Sequence, residues 1–183
     1  MKNSKKLMFI LLLPVFTLTA MFASNGFEVY FDQTGSTQFE LNYLLDDYRI
    51  SEIIKDGITY SQIEFEGKVA TKEKGYAELP FIHASVQLSD DRNVSLEITS
   101  TDYVDYKLDY PLLPSRGTIY RNQDPALIPY EIDDESITDE FYPGDIAEAM
   151  EPFILRDIRG TNVYVYPFQY NAQQNILRVY TDV

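Results

Sequence analysis

Alternation of apolar and polar residues is common in this chain, whereas amphipathic helical periodicity is nearly absent. A period of two indicates a half-buried β-strand, because successive side chains of a strand point to opposite faces of a sheet. β-Branched and aromatic residues fill these runs, as they do in strands of known structure. The alternating runs are 38–43, 94–98, 104–110, 163–166 and 176–180.

Turn residues separate these runs at short intervals, a pattern typical of many short strands joined by tight connections. We therefore predict an all-β fold, and more specifically an antiparallel two-sheet β-sandwich. Pro167 lacks a backbone N–H, so its strand should lie at a sheet edge or carry a bulge. The turn signals are Asp56-Gly57, Glu66-Gly67, Lys74-Gly75, 89–91, Arg159-Gly160 and 171–175.

Three segments depart from the strand pattern. Residues 143–150 begin with proline and carry acidic residues early, which predicts one short helical turn. Residues 111–129 contain four prolines and Gly117 and show no periodicity. Irregular segments of this length are uncommon in compact domains and are often functional, so this loop is the first candidate for a site. The acidic segment 131–140 is predicted to be an exposed loop.

The beginning of the chain has the pattern of a secretory signal peptide. A short basic stretch with three lysines precedes the apolar segment 7–18, which is too short to span a bilayer comfortably. Cleavage is expected near Ala20 or Ala23. The predicted organisation is a signal peptide at 1–24 and one domain at 25–183, exported to the periplasm and then secreted or held at the cell surface.

The net charge and the absence of cysteine exclude several classes of partner and of chemistry. The chain has 29 acidic and 15 basic residues, and removing 1–24 changes the net charge from −14 to −17 because three lysines and no acids are lost. Such a chain repels nucleic acid and anionic lipid, so we predict neither a nucleic-acid partner nor membrane contact after signal cleavage. The absence of cysteine excludes disulfides and a cysteine nucleophile in this chain.

Catalytic and metal-binding candidates are few. His83 is the only histidine and lies in a strand-like run, and no Gly-x-Ser-x-Gly motif marks a nucleophile, so a local hydrogen bond is favoured over a triad. One histidine without cysteine cannot build a transition-metal site, and 131–140 lacks the spacing of an EF-hand. We predict no cofactor and no metal, with a calcium site in the acidic run 133–140 as the alternative that the residues leave open. Carboxylate pairs for hydrolysis cannot be located, because their separation is set in three dimensions.

Two arginines distinguish the irregular loop. Arg116 and Arg121 occur in 111–129, and Tyr120 precedes the second of them. A guanidinium offers a rigid set of donors to a carboxylate, and a peptidase with an acidic primary pocket binds such a side chain. A surface arginine that balances nearby acids is the more common case, so the residues alone leave both interpretations open.

Several short blocks in the second half of the chain match a known family. The blocks are 114–117 (PSRG), 124–125 (DP), 128–130 (IPY), 141–144 (FYPG), 152–160 (PFILRDIRG), 169–171 (QYN) and 177–180 (LRVY). Together they resemble the propeptide of gingipain-type cysteine peptidases, which are caspase-like enzymes. Ala172 departs from this pattern, since the family commonly has proline there. Residues 25–79 are assigned to the propeptide only by continuity.

The resemblance implies a β-sandwich prodomain that precedes the catalytic domain, assists its folding and keeps it latent. A basic loop residue of such propeptides lies in the active-site cleft until cleavage, and the matching position here is Arg121, with Arg116 as the second candidate and Tyr120 beside it. The implied partner is the cognate catalytic domain, C-terminal in the same precursor. Because the strand pattern continues to Val183, the chain is predicted to end within its final strand. The chain itself is predicted to be an inhibitor and not an enzyme.

Two other classes of function remain open at this point. The chain could be a secreted acidic β-sandwich that serves as a binding module or adhesin, although this leaves blocks 141–144 and 152–160 unexplained. A small secreted hydrolase with catalytic carboxylates has no positive signal. A downstream domain with catalytic His and Cys would favour the propeptide, whereas a stop codon or a repeat module would favour the binding module.

Overall fold

The structure is a computed structural model, and it describes residues 22–24, 27–32, 40–45, 47–65, 69–88, 94–99 and 101–183. Most of the predicted signal peptide and the predicted turns at 66–67 and 89–91 lie outside the described residues. The described part contains no helix long and apolar enough to cross a membrane. Its strands are β1 Phe22–Ser24, β2 Phe27–Asp32, β3 Glu40–Leu45, β4 Arg49–Lys55, β5 Ile58–Glu64, β6 Val69–Ala70, β7 Pro80–Gln87, β8 Asp102–Lys107, β9 Ala147–Ala149, β10 Phe153–Leu155, β11 Ile158–Val165, β12 Phe168–Asn171 and β13 Ile176–Asp182.

The strands form three sheets, and every pair of named strands is antiparallel. A six-stranded sheet has the order β1-β2-β3-β13-β12, with β8 also paired to β13, and a five-stranded sheet has the order β10-β11-β7-β6, with β9 also paired to β11. Strands β4 and β5 form a separate hairpin. The all-β class is therefore confirmed. The exact two-sheet arrangement is not confirmed, because the hairpin makes a third sheet.

One cluster of buried apolar side chains takes residues from all three sheets. Phe168 of β12 is fully buried, and its ring meets the rings of Tyr48 and Phe65 edge-on at centroid distances of 5.6 and 5.8 Å. Full burial of a phenylalanine contributes about 1.5–3 kcal/mol by transfer from water, and edge-on aromatic pairs add to this. Without cysteine, the packing of this cluster is what holds the sheets together.

The helical turn predicted at 143–150 is wrong. Ala147–Ala149 is strand β9, which pairs with Val163–Val165 of β11. Gly144 has φ +101°, which no helix residue adopts, and the backbone groups beyond it bond to β11 instead of to each other. The proline and the early acidic residues favour a helical turn only locally. Residues 147–149 instead form hydrogen bonds with β11, which stabilises a strand.

The strand predicted at 94–98 is also wrong. Residues 94–99 have no strand conformation, and Leu96 and Ile98 are about 40% exposed. Alternation stabilises a strand only where a neighbouring strand completes the hydrogen-bond ladder and a core covers one face. The edge position or bulge predicted for the run before Pro167 is wrong as well: residues 163–165 belong to β11, which lies between β10 and β7 in its sheet, and Pro167 lies between β11 and β12 in neither strand.

A bidentate ion pair links the neighbouring strands β8 and β13. Arg178 donates from Nε and a terminal nitrogen to the two carboxylate oxygens of Asp105 at 2.8 and 2.9 Å, and its guanidinium stacks on Tyr103 and Phe141. The hydrogen bonds from Arg178 lower the pKa of Asp105 below its ordinary value of 3.8. A depressed carboxylate pKa stabilises the fold above the unfolded-state pKa, and this stability is lost as the pH falls through the folded-state value.

Asp105→Asn should therefore lower the free energy of unfolding at neutral pH and change it little at about pH 2. The loss should stay below about 1 kcal/mol, because the Asp105 side chain is 38% exposed and solvent screens the pair. Urea unfolding of both proteins at the two pH values measures the difference. An equal loss at both would mean that the carboxylate charge contributes nothing.

Candidate functional site

The irregular loop 111–129 is joined to the body of the domain along its first residues. Ser115 donates its N–H to the carbonyl of Tyr76 at 2.7 Å, and Gly75 donates to the carbonyl of Ser115 at 2.9 Å. Glu78 N–H bonds to the carbonyl of Leu113 at 2.9 Å. These bonds place the buried start of the loop antiparallel to 75–78, so its position is set by the core.

The far side of the loop is joined to the β4–β5 hairpin. Tyr130 donates its N–H to the carboxylate of Asp56, in the hairpin turn, at 3.1 Å, and its carbonyl accepts a bond from the Tyr60 hydroxyl at 3.4 Å. The Lys55 ammonium lies 5.8 Å from the centre of the Tyr130 ring. The two ends of the loop are therefore attached to residues 75–78 and to the β4–β5 hairpin, which limits the motion of the residues between them.

Arg116 links the two sides of the loop internally. One terminal nitrogen of its guanidinium donates to the carbonyls of Pro125 and Ile128 at 2.6 and 3.3 Å. The guanidinium also lies 4.4 Å from the centre of the Tyr130 ring. A charge-assisted bond and a cation–π contact together make Arg116 an internal support of the loop.

Arg121 lies in an exposed turn at the tip of the loop. Gln123 closes this turn by donating its N–H to the Tyr120 carbonyl at 3.0 Å, and its side-chain oxygen accepts from the Tyr120 N–H at 2.9 Å. Among the described residues, the Arg121 guanidinium has no hydrogen-bond or ion-pair partner. Tyr120 beside it is 65% exposed. A free, rigid donor group on an anchored loop is suited to bind a carboxylate outside the domain.

The structure thus assigns different environments to Arg116 and to Arg121 and Tyr120, which the sequence had placed together as loop candidates. It places Arg116 in internal bonds and leaves Arg121 and Tyr120 available to solvent. His83 lies on the exposed side of β7, edge-on to Tyr164 at a centroid distance of 6.0 Å. No three His, Asp or Glu residues of the described part lie close enough together to hold a metal ion.

Two surface features were missed in the sequence. The β10–β11 hairpin leaves Ile154 and Leu155 75% and 66% exposed. The turn predicted at Arg159-Gly160 is wrong, since both residues lie in β11 and the turn is at 156–157. A groove of about 450 Å³ lies between the loop and residues Lys72 and Lys74. The apolar triplet 153–155 beside a charged turn could have indicated the first feature, whereas the groove has no sequence signal.

Comparisons with known proteins identify relatives of this chain and of its fold. Residues 31–183 match the family model Propeptide_C25. Gingipain R1 of Porphyromonas gingivalis is 34% identical over 153 residues, which are 83% of this chain and 15% of that protein. Gingipain R2 of the same species is 39% identical over 119 residues, 65% of this chain and 16% of that protein. The chain therefore spans only a small part of the length of these relatives.

Two solved structures share the fold. A complex of the pro- and mature domains of RgpB from Porphyromonas gingivalis is matched with a TM-score of 0.77 at 31% identity, covering 84% of this chain and 79% of that chain. A structure that addresses zymogenic latency of gingipain K from the same species has a TM-score of 0.76, covering 88% and 93%. Its identity of 16% supports the fold alone.

The family match over residues 31–183 and the likeness to a prodomain of known structure place this all-β domain in the class of peptidase prodomains. The chain is a member of the C25 propeptide family, the propeptides of gingipain-type cysteine peptidases. The resemblance found in the sequence is thus confirmed. The family match begins at residue 31, so it includes most of the part that had been assigned only by continuity.

Proposed function

We propose that this chain is a latency-keeping inhibitor and intramolecular chaperone of a gingipain-like cysteine peptidase, and that it blocks the active-site cleft of the catalytic domain. In this proposal the partner follows C-terminally in the same precursor. The domain contributes binding surface and no catalytic group, and Arg121 enters the pocket that reads a basic substrate side chain. Family membership accounts for blocks 141–144 and 152–160, which a binding module or adhesin leaves unexplained, so the propeptide function is favoured.

The observation that carries this proposal is the state of Arg121. Its guanidinium is exposed and unpaired among the described residues, while the two ends of its loop are hydrogen-bonded to residues 75–78 and to the β4–β5 hairpin. A pre-organised loop loses little conformational entropy on binding, so more of the contact energy becomes affinity. An unpaired arginine on a flexible segment would bind a carboxylate pocket far less tightly, because more conformational entropy is lost on binding.

The proposal also includes the route by which the domain reaches its partner. Residues 1–24 act as the signal peptide, the precursor is exported, and the prodomain is released after cleavage outside the cytoplasm. In the folded precursor the two larger sheets form the sandwich proposed from the sequence, with the β4–β5 hairpin covering one end of it. Mass spectrometry of the exported chain, which reads its first residue, tests the signal cleavage.

The separated catalytic domain of the cognate peptidase should be inhibited by this chain added in trans. Binding should be complete at micromolar concentration, because an anchored loop and a surrounding surface act together. The measurement is the residual rate on a peptide substrate with a basic residue at the cleaved position. A papain-like peptidase assayed alongside serves as the control and should keep its full rate. No binding between two folded partners would count against the proposal.

A further inference from the structure

The groove between the loop and the preceding segment is lined by basic side chains. It lies beside the loop on the side facing Lys72 and Lys74, and Arg116 also contributes to its wall. None of its lining residues carries a carboxylate, although acidic residues outnumber basic ones by 29 to 15 in the chain. Its lining residues are Lys72, Lys74, Arg116, Gly117, Thr118, Tyr120, Gln123 and Ile128.

Close backbone packing holds the two lysines against the loop. Gly117 has φ +77°, and a Cβ atom built on it would lie 3.3 Å from the Cβ of Lys74 and 3.7 Å from the carbonyl of Lys72. The neighbouring residue Gly75 is bonded to the Ser115 carbonyl, which fixes the segment on the loop. The position of the lysines relative to the loop is therefore as well determined as the loop itself.

Both lysines are available for an external partner. Their side chains are exposed, and neither forms an ion pair with a residue that the structure describes. Other cations of this acidic chain do find partners, as Arg49 does with Glu64 and Arg178 with Asp105. Two unpaired ammonium groups in one groove attract carboxylates from outside, especially because the chain carries few other positive charges.

The groove adjoins the turn that carries Arg121. Tyr120 and Gln123 line the groove, and these two residues close the turn around Arg121. The groove with Lys72 and Lys74 and the turn with Arg121 are therefore adjacent on the surface. A pocket that binds a guanidinium contains carboxylate, and its negative potential extends over the surrounding rim.

We propose that Lys72 and Lys74 form a second contact with the catalytic domain and bind carboxylates on the rim of the cleft that receives Arg121. This inference rests on the proposed inhibitory function and adds a distinct role to it. Exposed rim charges mainly accelerate association and set its salt dependence, whereas a buried anchor sets dissociation. The lysine pair guides the loop toward the cleft, and Arg121 holds it there.

The test compares association rates of charge-reversed variants. Lys72→Glu combined with Lys74→Glu is matched by Arg156→Glu combined with Lys107→Glu, which makes the same change in net charge outside the groove. Stopped-flow measurement of inhibition of the separated cognate catalytic domain, at low and at physiological ionic strength, gives the association rate constant. Dissociation is followed by dilution, and urea unfolding verifies that each variant is folded.

The groove variant should associate at least about 10-fold more slowly at low ionic strength, with a smaller difference at physiological salt and nearly unchanged dissociation. The control variant should stay within a few-fold of the parent. Equal association rates for the two variants would overturn the inference, even if Arg121→Ala abolishes inhibition. A parent chain that never binds would instead remove the proposed function together with the inference.

Discussion

Arg121→Ala should weaken inhibition of the cognate catalytic domain by about 30-fold to several thousand-fold. Truncating one partner of a buried, hydrogen-bonded charge pair at an interface costs about 2–5 kcal/mol, and each 1.4 kcal/mol is a factor of ten in affinity. Part of the loss arises because the carboxylate of the pocket keeps its desolvation without a partner. The measurement is the inhibition constant in trans, with dissociation expected to change more than association.

Conservative and neighbouring substitutions make this result specific. Arg121→Lys should weaken inhibition less than alanine does, because the charge remains while the planar donor geometry is lost. Arg156→Ala removes an equally exposed arginine from the β10–β11 hairpin and should leave inhibition unchanged. The free energy of unfolding should hardly change for Arg121→Ala, since its side chain contacts no described residue through a hydrogen bond or ion pair.

Arg116→Ala separates the two arginines. It removes the bonds to the carbonyls of Pro125 and Ile128, so it should loosen the loop and weaken inhibition less than Arg121→Ala does. The opposite order, with Arg121→Ala fully inhibitory and Arg116→Ala not, would transfer the anchor role to Arg116. If neither change matters, latency comes from occlusion by the surface of the domain and the idea of pocket insertion is wrong.

The strands that the sequence predicted well are those whose alternation coincides with a place in the core. In β11 the alternating residues Val163 and Val165 are buried, and in β13 Leu177 and Val179 are buried in the same way. Run 104–110 is a partial case, because β8 ends at Lys107 and Val104 is 46% exposed. Whether an alternating run forms a strand depends on a neighbouring strand and a core that covers one face. The pattern of a single sequence does not show where these are.

The site was predictable to a similar extent. Prolines marked the loop, because they are excluded from helix interiors and central strands, and Pro125 begins only the short 3-10 helix Pro125–Leu127. The different roles of Arg116 and Arg121 depend on whether a carbonyl or an aromatic ring lies within reach, which only the folded loop decides. Lys72 and Lys74 were invisible as a site, since the groove forms only when 72–76 and the loop come together.

Gly75 is in very close contact with the acidic segment 131–140, which directly follows the loop. It has φ +82°, and a Cβ atom built on it would lie 2.6 Å from the Cβ of Asp133 and 2.8 Å from its backbone nitrogen. Asp133 cannot easily move away. Its N–H bonds to the Gly75 carbonyl at 3.1 Å, and its side chain accepts from the Glu135 N–H at 2.9 Å.

Gly75→Ala should therefore lower the free energy of unfolding by about 2–5 kcal/mol. A left-handed conformation costs an L-residue about 1–2 kcal/mol, and overpacking of a site that cannot relax costs about 1–3 kcal/mol more. Gly57→Ala is the matched control, since Gly57 has φ +80° but nothing within 4 Å of the added Cβ. That variant should show the backbone cost alone, about 1–2 kcal/mol.

Urea unfolding of both variants, followed by tyrosine fluorescence because the chain has 15 Tyr and no Trp, gives the two free energies. The difference between them isolates the collision with Asp133. Because Gly75 also bonds to the Ser115 carbonyl, a displaced Gly75 shifts the start of the loop, and the folded Gly75→Ala protein should inhibit less well than the folded Gly57→Ala protein. Equal destabilisation by the two substitutions would show that residues 131–133 yield freely, and the loop would then not be held in place from this side.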